Sequence, residues 1–318
     1  MAAVTQSGAI AVKDALLRYE IVGDGQPIVV LHGGPGIGYR YLAPELETLL
    51  AGKRRIVFYD QRGSGESTGA DDPSLLNIHA FVEDLACLCT ALELERAVLL
   101  GHSFGGLLAM HYAIQYPQRV TALILVDPDP ASKALWSRFT GATQGKRTPA
   151  EAEEISAIQA SNGWNANSEL VARYFELALR PFFAALAVPE RFGHRFVRVR
   201  PDNLSTTAAA VRNNLGDWDL HPLLNGIGCP TLLVCGETGI FPEEAMAKLH
   251  EGIRKSTLVR IGGASHFPSI EAPGAFGSAV CSTARSSASA RGVVTISPLR
   301  PPNACSRATR GAKISCGV

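Results

Sequence analysis

An α/β fold, with a mostly parallel sheet covered by helices on both faces, is what this sequence predicts. Three observations carry that reading. Short apolar runs recur along the chain, longer amphipathic stretches separate them, and several runs end at Gly or Asp before a loop. Continuous apolar runs of this length suit strands buried on both faces. Strands that alternate with helices imply right-handed crossovers, which gather the loops at the C-terminal edge of the sheet.

The runs come in order as "LLRYEIV" (16–22), "PIVVLH" (27–32), "RRIVFYD" (54–60), "AVLLGH" (97–102), "ALILVD" (122–127), "TLLVCG" (231–236) and "TLVRI" (257–261). Between them, residues 77–94 place Ile78, Phe81, Val82, Leu85, Leu88, Cys89 and Leu92 on one helical face. Residues 104–117 open with small residues and stop at Pro117. Residues 131–202 contain no clear strand and read as a helical insertion over the sheet edge. The core is thus expected over 1–130 and 203–280. From about Cys281 to residue 318 the chain is rich in Ser, Ala, Arg and Pro, with no acidic and no aromatic residue. It is expected to be disordered.

The totals bound the function. The chain has 318 residues, enough for a sizeable core, and a formal net charge of +1. Nothing global points to nucleic acid or an anionic membrane as a partner. Seven scattered cysteines form no CxxC pair, which suits free thiols in a reducing cytoplasm. The N-terminus shows no signal-peptide pattern, and no apolar run reaches the ~18 residues of a membrane span. The oligomeric state is left open.

"GHSFGG" (101–106) follows a buried strand and opens a helix, and it matches G-x-S-x-G. That pattern puts a serine on a sharp turn at the sheet edge, with glycines where strand and helix approach closely. Ser103 is the expected nucleophile. An oxyanion needs two N–H donors. The N–H of Phe104, at a helix start, is one. Gly34 in "HGGPG" (32–36) is the candidate for the other, a plain turn being the alternative.

Serine needs a base to take its proton. Of eight histidines, only His250 and His266 lie after the loop where an acid is expected. His250 ends a charged helix. His266, in "IGGASHFPSIEAP", sits on a Gly-rich strand-to-helix loop and is the expected base.

Together, "HGGPG", "FYDQRGSGES" (58–67), "GHSFGG" and "SHFPSIEAP" resemble the α/β-hydrolases of the proline iminopeptidase group, over residues 16 to 280 or so. The resemblance implies the α/β-hydrolase fold with an eight-stranded sheet, the insertion as a helical cap, and a Ser-Asp-His triad without metal or cofactor. It also implies hydrolysis of an N-terminal prolyl bond, or of small esters and amides in wider relatives. The substrate would be a small molecule or short peptide. By the same resemblance Asp60, Arg62 and Gly63 shape the site entrance structurally.

The sequence departs from the family in three places. Phe104 stands where the iminopeptidases usually carry Trp. Glu169 and Glu176 lie in the insertion, but neither matches firmly the glutamates with which the family holds a substrate amine. The family's acid, three residues past Gly236, falls on Gly239, which has no carboxylate. Replacements are Asp127, Glu237, Glu243 or Glu244, or no working acid. Asp127 closes the neighbouring strand 24 residues after Ser103, and some haloalkane dehalogenases place their acid there. A chain without an acid would be a weak enzyme or a small-molecule binder. A haloperoxidase-like enzyme or a C–C bond hydrolase on the same scaffold is a third reading. Trp136, Phe139, Trp164, Tyr174, Phe175, Phe182 and Phe183 are read as cap core sooner than as a substrate box. Arg180 is read as facing solvent sooner than as binding a carboxylate.

Overall fold

The computed structural model describes residues 4–139, 145–199, 201–285 and 292–296. Nine strands form one sheet in the order β1-β2-β4-β3-β5-β6-β7-β8-β9. They are β1 (Val4–Val12), β2 (Ala15–Val22), β3 (Pro27–Leu31), β4 (Arg55–Tyr59), β5 (Ala97–His102), β6 (Val120–Val126), β7 (Thr231–Gly236), β8 (Ser256–Ile261) and β9 (Gly292–Ile296). β1 and β2 pair antiparallel, as do β2 and β4; every later pair is parallel.

The expected eight strands are therefore nine. The seven apolar runs all form strands, and β1 and β9 are added at the two edges. β9 also corrects the reading of 281–318 as wholly disordered. Residues 281–285 finish a helix, and "GVVTI" pairs in parallel with β8. Its β-branched residues favour an extended chain, although Val293 and Val294 stay exposed. The rest of 281–318 lies outside the described residues.

Helices α1 (Ala43–Leu50), α2 (Ile78–Ala91) and α3 (Phe104–Gln115) cover the first half of the sheet. α2 starts where Asn77 accepts the Ala80 N–H, and it buries Phe81, Val82, Leu85, Leu88 and Cys89. Between β6 and β7 the described residues form four helices, α4 (Lys133–Trp136), α5 (Pro149–Ala160), α6 (Ser168–Leu179) and α7 (Pro201–Leu215), and short 3₁₀ turns. The insertion does not end at residue 202, because α7 runs through that boundary as one helix. On the far side of β7, α8 (Glu243–Gly252) precedes β8. The short α9 (Pro268–Glu271) and α10 (Pro273–Arg285) follow it.

α7 lies across two connections, the one from β3 to α1 and the one from β4 to α2. Leu204 packs on Gly36. Thr207, fully buried, donates to the Gly63 carbonyl (3.2 Å). Asn214 donates to the carbonyls of Pro73 and Leu76 (2.7 and 3.0 Å).

The "DQRG" stretch is structural here. Asp60 accepts from the Tyr39 and Glu66 N–H groups (3.1 and 2.8 Å). Arg62 makes a two-pronged bond to buried Asp84, both contacts at 2.7 Å.

The tight elbow rests on glycines. A Cβ at Gly105 would lie 2.1 Å from the Leu31 carbonyl oxygen, and one at Gly101 would lie 2.4 Å from the Gly105 oxygen. Backbone neighbours cannot swing aside. Gly105→Ala should therefore cost about 3 kcal/mol, read as a fall in the denaturation midpoint. A midpoint within experimental error of wild type would show that the helix start shifts freely.

Candidate active site

The site forms where β5, β6 and β8 end. Ser103 occupies the turn between β5 and α3 with φ +53°, a strained left-handed position for a residue with a side chain. Its N–H donates to the Val126 carbonyl (3.1 Å), which locks the elbow to β6. Phe104 begins α3, so its N–H has no carbonyl within the helix to meet.

Asp127 follows β6, also with positive φ (+38°), and its N–H is held by the Val234 carbonyl of β7 (2.7 Å). His266 lies on the loop after β8. The structure joins these two: His266 Nδ1 and Asp127 Oδ2 are 2.5 Å apart, with both residues buried. Burial, the largest influence on each, raises the Asp127 carboxyl and lowers the His266 imidazole. The resting imidazole is neutral, and its Nδ1–H donates to Asp127. Nε2 is left as the basic atom, as a general base requires.

Gly239 explains how an acid from β6 reaches a histidine beyond β8. β7 lies between β6 and β8 in the sheet, and Gly239 sits on the loop after β7. A Cβ at Gly239 would be 3.8 Å from Asp127 Oδ1. A carboxylate from position 239 and one from position 127 would thus compete for one space. The absent side chain leaves that space to Asp127.

The other candidate carboxylates are occupied elsewhere. Glu237 accepts from the Gly263 N–H (3.0 Å). Glu243 pairs with Arg260 and Glu244 with Arg138 and Lys248, all at the surface. Glu169 pairs with His194 and Glu176 with Arg173. Arg180, read as solvent-facing, is partly exposed, and it pairs with Glu151 and donates to the Leu186 carbonyl.

A chain of buried hydrogen bonds ties the glycine-rich loop to the histidine loop. Gly33 N–H donates to the Tyr41 hydroxyl (2.8 Å), and that hydroxyl donates to His102 Nδ1 (2.6 Å). His102 Nε2–H then donates to the His266 carbonyl (2.8 Å). These donor roles are assigned from the network. Burial pushes the His102 pKa down to about 3, so it stays neutral and keeps one donor and one acceptor. The Gly33 N–H is spent on Tyr41. Gly34, next along and at φ +45°, is the neighbouring donor of that loop.

Aromatic rings flank the imidazole. Phe182, Phe241 and Phe267 lie within 6.0 Å of it, centroid to centroid. Phe139 links Phe182 and Phe241 to Trp136. The expected aromatic set therefore divides. Trp136, Phe139 and Phe182 are half-buried and lead to His266. Phe175 and Phe183 are core, stacked on Phe196 and Phe267. Trp164 and Tyr174 pack on each other.

Sequence reasoning missed three residues. Tyr41 carried no signal. Asp129 lies two residues past Asp127 in "DPDP", and Arg212 lies in the stretch after residue 202, where the sequence reading names no helix. Ser103 Oγ is 3.2 Å from Asp129 Oδ1, and Asp129 Oδ2 is 2.7 Å from Arg212 Nη1.

Comparison with known proteins agrees with this architecture. The alpha/beta hydrolase fold family matches residues 26–273. The chain belongs to the alpha/beta hydrolase fold family. This α/β-hydrolase is 30% identical over 263 residues to a proline iminopeptidase of Heyndrickxia coagulans, covering 80% of this chain and 89% of that one. It is 29% identical over 267 residues to a 2-hydroxymuconate semialdehyde hydrolase of Pseudomonas sp. (strain CF600), covering 81% and 86%. Among solved structures, the proline iminopeptidase of Mycobacterium smegmatis superposes with a TM-score of 0.68 at 24% identity, covering 87% of this chain and 97% of that one. Such a likeness shows the fold alone. Among the described residues, no helix is long and apolar enough to cross a membrane.

Proposed function

We propose that this α/β-hydrolase is a serine hydrolase that cleaves a small ester, amide or N-terminal prolyl bond through an acyl-enzyme. The observation that carries the reading is the buried Asp127–His266 hydrogen bond, which leaves Nε2 basic on a loop adjoining the serine elbow. Ser103 attacks the carbonyl carbon while His266 Nε2 takes the hydroxyl proton. The Phe104 and Gly34 N–H groups hold the developing oxyanion. The protonated imidazole passes that proton to the leaving group, and water then repeats the sequence on the acyl-enzyme. Asp127 orients the ring and stabilises its charged form. Iminopeptidase relatives support the peptide substrate, while the 2-hydroxymuconate semialdehyde hydrolase keeps a C–C bond substrate in the screen. A cytoplasmic location accords with the free thiols of Cys87, Cys89, Cys229, Cys235 and Cys281.

The rival reading, a binder without a working acid, rested on Gly239. The carboxylate of Asp127 beside that glycine supports an intact triad instead.

A fluorophosphonate should label the folded protein once, at Ser103, and Ser103→Ala should remove the label. Folded protein that stays unlabelled, and inert towards prolyl-arylamides, short nitrophenyl esters, lactones and the C–C substrate, would sink the proposal.

A further inference from the structure

Three carboxylates lie close to the triad residues, and only Asp127 has the work of orienting the histidine. Glu271, on α9, is taken up by three backbone N–H groups, those of Ala184, Ser265 and Phe267. Asp129 differs from both. It is 1% exposed and lies two residues past the triad acid. Its N–H is bonded to the Ser103 carbonyl (2.9 Å), and one carboxylate oxygen accepts the Ser103 hydroxyl (3.2 Å). Its other oxygen touches Arg212, which comes from α7.

That contact is a close charge pair between two groups away from solvent, Asp129 Oδ2 and Arg212 Nη1 being 2.7 Å apart. The guanidinium is held by rings as well, its carbon 4.5 Å from the Trp136 centroid and 5.6 Å from that of Phe104. A negative charge beside the nucleophile would ordinarily oppose the oxyanion while favouring the imidazolium. Here a cation from the helix over the site offsets part of it.

We propose that Asp129 and Arg212 form a charge pair that sets the basicity of the Asp127–His266 unit, Asp129 raising it and Arg212 lowering it. This rests on the serine-hydrolase reading. In the resting site the Ser103 hydroxyl points at Asp129, so it must turn to His266 before attack. Arg212 is placed by α7, which also packs on the glycine-rich loop at Gly36 and bonds to the next loop at Gly63.

The charged and titratable groups around His266 are few. Asp127 and Asp129 approach from the end of β6, His102 from β5 with Tyr41 behind it, and Glu271 from α9. Arg212 acts through Asp129. The Asp129 charge favours the imidazolium and raises the Asp127 carboxyl. Each effect favours a proton on the pair, so the sign holds for the coupled unit.

The test uses two substitutions of opposite charge in the full chain. Reaction requires the deprotonated pair, so the rate of fluorophosphonate labelling falls as pH drops through its apparent pKa. Asp129→Asn removes a negative charge and should move that acid limb down by about 0.5 to 1 pH unit. Arg212→Met removes a positive charge and should move it up by a similar amount. Arg212→Lys, which keeps the charge, should leave it near wild type. Limbs that stay put, or shift in the same direction in the first two variants, overturn the proposal. The imidazole resonance of His266, followed by NMR against pH, gives a second readout independent of turnover. If Ser103 does not react at all, the hydrolase reading fails. The NMR shifts then decide the charge pair separately, and Asp129→Ser or Arg212→Gln, which make the same changes of charge, replace a variant that does not fold.

Discussion

Ser103→Ala should lower turnover by about 10⁶-fold, and His266→Ala added to it should cost almost nothing more. The reason is the shared proton. Once no hydroxyl remains, the imidazole has nothing to deprotonate, so its removal takes away a function already lost. The residue of activity should come from binding and from the Phe104 and Gly34 N–H groups, which both variants retain. Ser103→Ala leaves a small void, whereas His266→Ala takes the Nδ1–H partner from the buried Asp127 carboxyl, which burial already raises and which can take up a proton in its place. Folding should survive, as circular dichroism and the unfolding midpoint can show. Turnover of the best substrate from the screen is the measurement. Losses that multiply in the double variant would mean that the two residues act independently, and the acyl-enzyme mechanism would fall.

How much was legible in the sequence depends on where the physics sits. β3 to β8 were readable because strands buried on both faces need continuous apolar runs, and "PIVVL" or "TLLVCG" can do little else. β1, "VTQSGAIAV", was not readable. It is an edge strand with polar and small residues, and it exists by hairpin pairing to β2. β9 hid for a similar reason, its five residues being embedded in Ser- and Arg-rich chain. The elbow at Ser103 and the loop of His266 were visible because their chemistry needs local backbone geometry, which glycines announce. Asp127 was visible only as one choice among several, by the strand-and-helix spacing. What decides its contact with His266 is the empty volume at Gly239, a property of three adjacent strands and not of any segment. Arg212 shows the limit most clearly. One arginine in an amphipathic helix carries no signal until the helix is docked over Asp129.

That volume at Gly239 makes a sharper prediction than loss of function. Asp127→Asn should reduce turnover by about 10⁴-fold, because an amide cannot hold the imidazole in its tautomer or stabilise its charged form. Substrate affinity should change little, and the protein should remain folded. Gly239→Asp alone should not help: its carboxylate would arrive within van der Waals reach of Asp127, and two buried acids there cannot both ionise cheaply. Turnover should stay level or fall. The combined variant Asp127→Gly with Gly239→Asp should recover much of the loss. The backbone permits the exchange in both directions. Position 127 sits at φ +38°, where glycine is unstrained, and Gly239 is not in the left-handed region, so a side chain fits there without strain. An added Cβ at 239 meets nothing closer than 3.8 Å, and the Asp127 atom among its neighbours would be gone. The acid would then approach His266 from β7 instead of β6, with the same partner and the same burial. Steady-state kinetics on the three variants decide the matter. Asp127→Asn at wild-type speed would show that Asp127 does not serve as the acid, and a steep rise from Gly239→Asp alone would show that the site lacks one.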